Sequence, residues 1–287
     1  MGLPAGGEGE VDHRVSEDLL PVWFGQVPVE DPVPVHEGGQ IRRGRLVVES
    51  EPLSRGARAG MARCRVCSIP VIVVLSTVPD SERGRDDVET RSVMARASET
   101  AVDIVRGIGP DAFDGCTPCP ELKVGALLNH LIFFTGVRGH AAGLKQPPQT
   151  PNEVAEGHDF TAEPDWAEAY AARSAATAAV WSAPEAWAGE TALTGSGRMP
   201  ARFIGGIVLG EWLLHGWDLA VATGQKLNVD DELAAALYED IADKAEMARQ
   251  YGVFGPEVGV PPTAPLFDRA LGLAGRDPSW KRPADRM

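Results

Sequence analysis

From Val88 onward, apolar residues recur at three- and four-residue steps in runs long enough for helices, interrupted by proline and glycine. Met94, Ala97, Ala101, Ile104 and Ile108 define an amphipathic helix that stops at Gly109-Pro110. Pro120 and Glu121 suit the first turn of a second helix. It runs to about Gly143 with Val124, Leu127, Leu128, Leu131, Phe134 and Val137 on its apolar face. After a connection carrying Pro147, Pro148 and Pro151, an alanine-rich third helix is expected from about Glu163 to Ala183, stopped by Pro184. Trp166, Tyr170, Thr177 and Trp181 lie along one side of it. A glycine-rich extended link, Gly189 to Met199, leads to a fourth helix from about Ala201 to Thr223, begun by Pro200 and ended by Gly224. Asn228 or Asp230 can cap a fifth helix with Leu233, Leu237, Ile241 and Ala245 in register, and a short helix is expected around Phe267 to Ala274. No internal repeat and no strong strand pattern follows Val88. Helices joined by loops of unequal length predict an all-α fold, a four-helix bundle with an additional C-terminal helix.

Residues 1 to about 86 have another texture. Proline and glycine recur, as in Val27-Pro-Val-Glu-Asp-Pro-Val-Pro-Val35, and no helical period is sustained. The β-leaning pieces Leu46-Val-Val-Glu49 and Val71-Ile-Val-Val-Leu75 have no hairpin turn between them, and isolated short strands are marginal. Three readings stand open: a poorly ordered extension, a small irregular appendage, or upstream sequence ahead of a product that begins near Val88 or Met94. The expected organisation is an irregular or disordered extension over 1–86 and a helical unit with a C-terminal tail over 87–287.

A net charge of −14 argues against nucleic acid or an anionic membrane as the main partner. No run approaches the roughly 18 apolar residues of a spanning helix, and the N-terminus lacks the basic-then-apolar pattern of a secretory signal. A cytoplasmic protein, monomer or homodimer, is expected. The cysteines form two CxxC pairs, Cys64/Cys67 and Cys116/Cys119. Such pairs can share a structural zinc ion, but these lie far apart in regions of different character. Reduced thiols are the favoured reading.

The chemistry-bearing stretch is Glu211-Trp-Leu-Leu-His-Gly-Trp-Asp-Leu219 in the fourth helix. Glu211 and His215, four residues apart, share one helical face with Ile204, Val208, Asp218 and Ala222. A carboxylate and an imidazole among apolar residues are costly to bury alone. Either they pair with each other and nearby donors, or they hold a metal ion. On the second helix His130 falls between Leu127 and Phe134 and points the same inward way. A His facing an ExxxH pair on another helix is how a bundle assembles three ligands, with zinc, iron, nickel or manganese as candidates and one position left open. The bland alternative is a set of hydrogen-bonded core histidines. Asp218 is a candidate acceptor behind His215, or a partner for an arginine. Trp212 and Trp217 are read as packing residues, and His140 and His158 as solvated.

Cys116-Thr-Pro-Cys-Pro-Glu121, Leu127-Leu-Asn-His-Leu131 and Glu211-Trp-Leu-Leu-His-Gly-Trp-Asp-Leu-Ala220 together resemble the actinobacterial branch of the DinB/YfiT-like metalloprotein superfamily. More narrowly they are similar to the metal-binding domain of mycothiol-dependent maleylpyruvate isomerases and an uncharacterised actinobacterial metal-binding subgroup. Phe254-Gly-Pro-Glu257, Asp268-Arg269 and Gly275-Arg-Asp-Pro278 resemble that subgroup's tail. One departure is Leu122, where the subgroup usually has Trp. The resemblance spans roughly Val88 to Trp280. It implies a DinB-like bundle binding a divalent metal, commonly zinc, through His130, Glu211 and His215. It also implies a low-molecular-weight thiol, mycothiol, as cosubstrate of a transferase or isomerase acting on an electrophilic small molecule. The alternative is a metal-binding or sensing bundle without turnover.

Overall fold

The computed structural model describes residues 80–147, 157–194 and 197–282. The expectations for residues 1–79, including the pair Cys64 and Cys67, lie outside them. The first helix, α1, spans Asp80–Arg106 and so begins upstream of Val88, with acidic residues at its N-terminal end and Arg106 in its last turn. Val93, Met94, Ala97, Ala101, Ile104 and Val105 are buried along one stripe, as the three- and four-residue spacing requires.

The second helix, α2, is one run with a change of winding inside it. It is α-helical over Val124–Leu131, π-helical over Ile132–Arg138, and α-helical again over Gly139–Gly143. Helix α3 spans Trp166–Trp181, and a single turn at Pro184–Trp187 follows it. The glycine-rich link is extended as expected, and it forms the one strand pairing among the described residues. In it β1 (Glu190–Thr191) runs antiparallel to β2 (Met199–Pro200). Helix α4 repeats the pattern of α2: α-helical over Ala201–Gly210, π-helical over Glu211–His215, and α-helical over Gly216–Thr223. It ends at Gly224, whose φ of 75° suits a residue without a Cβ. Asp230 caps α5 (Asp231–Gln250), its side chain accepting from the Leu233 N–H at 2.8 Å. Helix α6 covers Leu266–Leu273.

The fold is all-α apart from that short pairing. Helices α1 to α4 surround one core in which Trp181, Trp212, Tyr170, Phe133 and Met94 are fully buried. Helix α1 packs on α3, α4 and α5, and α6 lies on α5. Ser98 of α1 and Ser174 of α3 share a buried hydrogen bond at 2.8 Å, which small side chains permit where two helices approach closely. The indole N–H groups of Trp181 and Trp187 donate to Gly139 O and Trp181 O at 2.8 and 2.6 Å, so both rings are buried with their polar atom satisfied. Among the described residues no helix is long and apolar enough to cross a membrane.

Candidate metal centre

Helices α2 and α4 bring their π-helical segments side by side, and the candidate residues sit where the winding changes. His130 is in the last turn of the first α-helical part of α2, two residues before the π segment, and Glu211 and His215 are the first and last residues of the π segment of α4. The periodicity predicts a regular α-turn between Glu211 and His215; the structure replaces it with a wider one. An isolated π-turn costs hydrogen-bond quality and is retained mostly at functional positions. In α2 the cost is partly offset by Thr135, whose hydroxyl donates to Leu131 O at 2.6 Å.

One ligand atom from each of His130, Glu211 and His215 lies within 4.8 Å of the others. Glu211 Oε2 is 3.0 Å from His130 Nε2 and 3.6 Å from His215 Nε2. Two ligands at about 2.0–2.1 Å from a tetrahedral ion stand roughly 3.3–3.4 Å apart, so these separations bracket the required value. The two rings meet edge to face with centroids 4.9 Å apart, and Phe134 covers His130 from the other side at 4.6 Å. Side-chain exposures of 11% for His130, 17% for Glu211 and 10% for His215 leave a narrow approach from solvent.

The proton on His215 follows from its neighbours. Its Nδ1 is 2.9 Å from Asp218 Oδ2. A carboxylate accepts only, so Nδ1 carries a hydrogen, and Nε2 is the nitrogen that faces Glu211. Burial alone raises a carboxyl's pKa, yet His130 and His215 outweigh it and hold Glu211 below the ordinary carboxylate range. Burial is likewise outweighed at Asp218, by Arg276 and His215. The carboxylate needed as a ligand is therefore ionised.

Behind Glu211 stands an apolar wall with one polar seam. Tyr170 is fully buried, its hydroxyl 3.0 Å from Thr135 Oγ1, and burial pushes its pKa to about 12. The Trp212 indole, also fully buried, lies beside the Tyr170 hydroxyl, and its N–H closes no full hydrogen bond among the described residues. Trp212 and Trp217 are core residues, as their spacing suggested. His158 pairs with Glu163 at 2.8 Å on the surface. The expectation of a solvated His140 is corrected: it is half-buried, with Nδ1 enclosed and bonded to nothing among the described residues. The turn from α2 into its closing α-helical segment carries that ring inward. Cys116 and Cys119 form no disulfide with each other, the first being exposed and the second half-buried.

Sequence reasoning assigned no role to Arg276, although it singled out Gly275-Arg-Asp-Pro278. The structure places its guanidinium on Asp218, with Nη2 2.9 Å from Oδ2 and Nε 3.1 Å from Oδ1. Nothing in the spacing reveals this, because the partners are 58 residues apart.

Two histidines and an ionised glutamate converging from facing helices define a class, a helical bundle with three donors that fit a metal ion. Within it, residues 94–220 match the family described as mycothiol maleylpyruvate isomerase N-terminal domain. The matched segment contains His130, Glu211, His215 and Asp218 and stops short of Arg276. Two uncharacterized proteins from two strains of Mycobacterium tuberculosis are each 28% identical over 186 residues, covering 63% of this chain and 94% of each relative. No solved structure matches.

Proposed function

We propose that this protein is a cytoplasmic, divalent-metal-dependent transferase or isomerase that uses a low-molecular-weight thiol of the mycothiol type on an electrophilic small molecule. His130, Glu211 and His215 are its metal ligands, and the working unit is the bundle with its C-terminal segment, residues 87–287. The observation that carries this reading is the convergence of Glu211 Oε2 with two imidazole nitrogens at 3.0 and 3.6 Å, one of them on a ring oriented by Asp218. The match of residues 94–220 to a mycothiol-related domain supports the thiol. Two imidazoles and one carboxylate suit zinc first; nickel, iron and manganese accept the same donors.

When bound, such an ion keeps one position open and, as a Lewis acid, lowers the pKa of a thiol placed there. The chain's own residues supply the rest. Glu211 provides the negative charge that draws a cation between α2 and α4, and Asp218 orients His215. Phe134 and Trp212 wall off the apolar side, where water would compete for the open position.

Elemental analysis of protein purified without chelators or an affinity-tag metal tests the reading, together with thiol-dependent turnover over a panel of electrophiles. One divalent ion per chain and a thiol-dependent product are the expected results. An ion without product reduces the protein to metal binding; no stoichiometric ion overturns the ligand assignment.

A further inference from the structure

Asp218 is completely buried, and a buried carboxylate needs both oxygens occupied. Oδ2 accepts from His215 Nδ1 at 2.9 Å and from Arg276 Nη2 at 2.9 Å; Oδ1 accepts from Arg276 Nε at 3.1 Å. A guanidinium gripping a carboxylate side-on fixes the plane of that carboxylate as well as its position. The plane decides where Oδ2 points, and so which nitrogen of His215 keeps the proton.

The arginine is itself held from its own backbone. Its Nη1 donates to Ala274 O at 3.2 Å, so Nε, Nη1 and Nη2 all meet protein groups and the fork is occupied by the protein itself. The turn that launches it is locked: Arg276 N donates to Leu271 O at 2.8 Å and Gly275 N to Gly272 O at 3.0 Å. Gly275 has a φ of 77°, and a Cβ there would stand 2.9 Å from the backbone of Gly255. Only glycine lets this turn close against the 254–258 segment, where Val258 N also donates to Gly272 O at 3.0 Å.

We propose that Arg276 is a positioning residue for the metal centre: from the segment after α6 it clamps Asp218, which holds the His215 ring with Nδ1 protonated and Nε2 free to bind. This rests on the metal reading above and extends the functional unit beyond the family-matched residues 94–220 to a segment 58 residues from its partner. The competing role is structural, with Arg276 serving only to neutralise a buried charge.

Two readouts separate these roles. The full-length protein, wild type and variants, is titrated with zinc against a competing chelator, and the His215 tautomer is read from imidazole nitrogen chemical shifts in the metal-free protein. Arg276→Met is expected to weaken zinc binding about 10- to 100-fold and to turn a single Nδ1–H tautomer into a mixture. Arg276→Lys, which keeps the charge but lacks the fork, should recover stability more than affinity. If Arg276→Met does not fold, the Asp218→Asn/Arg276→Met pair carries the test, because it leaves no unpaired buried charge. That pair should be stable yet still bind zinc weakly and show the mixed tautomer. Wild-type zinc affinity and a single tautomer in either variant would overturn the proposal. Absence of zinc from the wild type overturns the metal reading instead, while the tautomer measurement in the metal-free protein still decides the role of Arg276.

Discussion

Helix α4 touches two sets of buried charge that resemble each other in composition and differ in kind. Near its start, Lys244 of α5 pairs with Asp240 one turn away, lies 4.7 Å over the Phe203 ring and approaches Phe203 O at 3.4 Å. Further along, Glu211 meets His130 and His215. In the first set every donor faces an acceptor, so the charges close on one another. In the second, one carboxylate oxygen faces two imidazoles, hydrogen-bonded to His130 Nε2 at 3.0 Å and 3.6 Å from His215 Nε2. The carboxyl groups register the contrast. Burial wins at Asp240 and pushes its pKa up against the pull of Lys244, whereas at Glu211 burial loses to two imidazoles and the carboxyl is held down. Burial of charge is thus no mark of function in itself; two imidazoles and a carboxylate converging from facing helices are a donor set that suits a metal ion.

That contrast can be broken by experiment. The largest effect is expected at the ligands: His215→Ala should abolish stoichiometric zinc by elemental analysis. It should also remove the stabilisation of about 2.7 kcal/mol that zinc gives the wild type at 100-fold excess over Kd. Next, Arg276→Met should lower the stability of the metal-free protein in urea by about 3–5 kcal/mol, since it leaves Asp218 charged and buried with only the His215 hydrogen bond. The Asp218→Asn/Arg276→Met pair should recover most of that loss.

Lys244→Met should cost less, about 1–3 kcal/mol, because Asp240 can take up a proton once its partner is gone. Its zinc uptake should match the wild type; loss of metal there would erase the distinction drawn between the two sets. The smallest effect belongs to Tyr170→Phe, about 1 kcal/mol for the hydrogen bond to Thr135. The alkaline side sharpens this last case. A phenol whose folded pKa is about 12, against roughly 10 unfolded, adds stability that is intact below pH 10 and is lost as pH rises toward 12. Ultraviolet titration should show one of the three tyrosines ionising late, and that component should vanish in Tyr170→Phe.

The helices were legible because burying one face of a helix imposes a period that any reader of Met94–Ile108 or Leu233–Ala245 can count. The caps at Asp230 and Gly224 were legible for a similar reason, since each answers a local need of the backbone. The π segments of α2 and α4 were not, because an extra residue in a turn leaves the apolar stripe nearly in place and is stabilised by tertiary packing. His140 was misplaced on the same account: its orientation depends on the winding just before it.

The centre divides the same way. Sequence alone determined that Glu211, His215 and Asp218 share one side of a helix, and that His130 points into a core, since these are consequences of spacing within single helices. Only the tertiary structure decided that His130 stands 3.0 Å from Glu211 and that Arg276 grips Asp218. Those distances join segments far apart in the chain, and the packing that closes them depends on the shapes of all the helices at once.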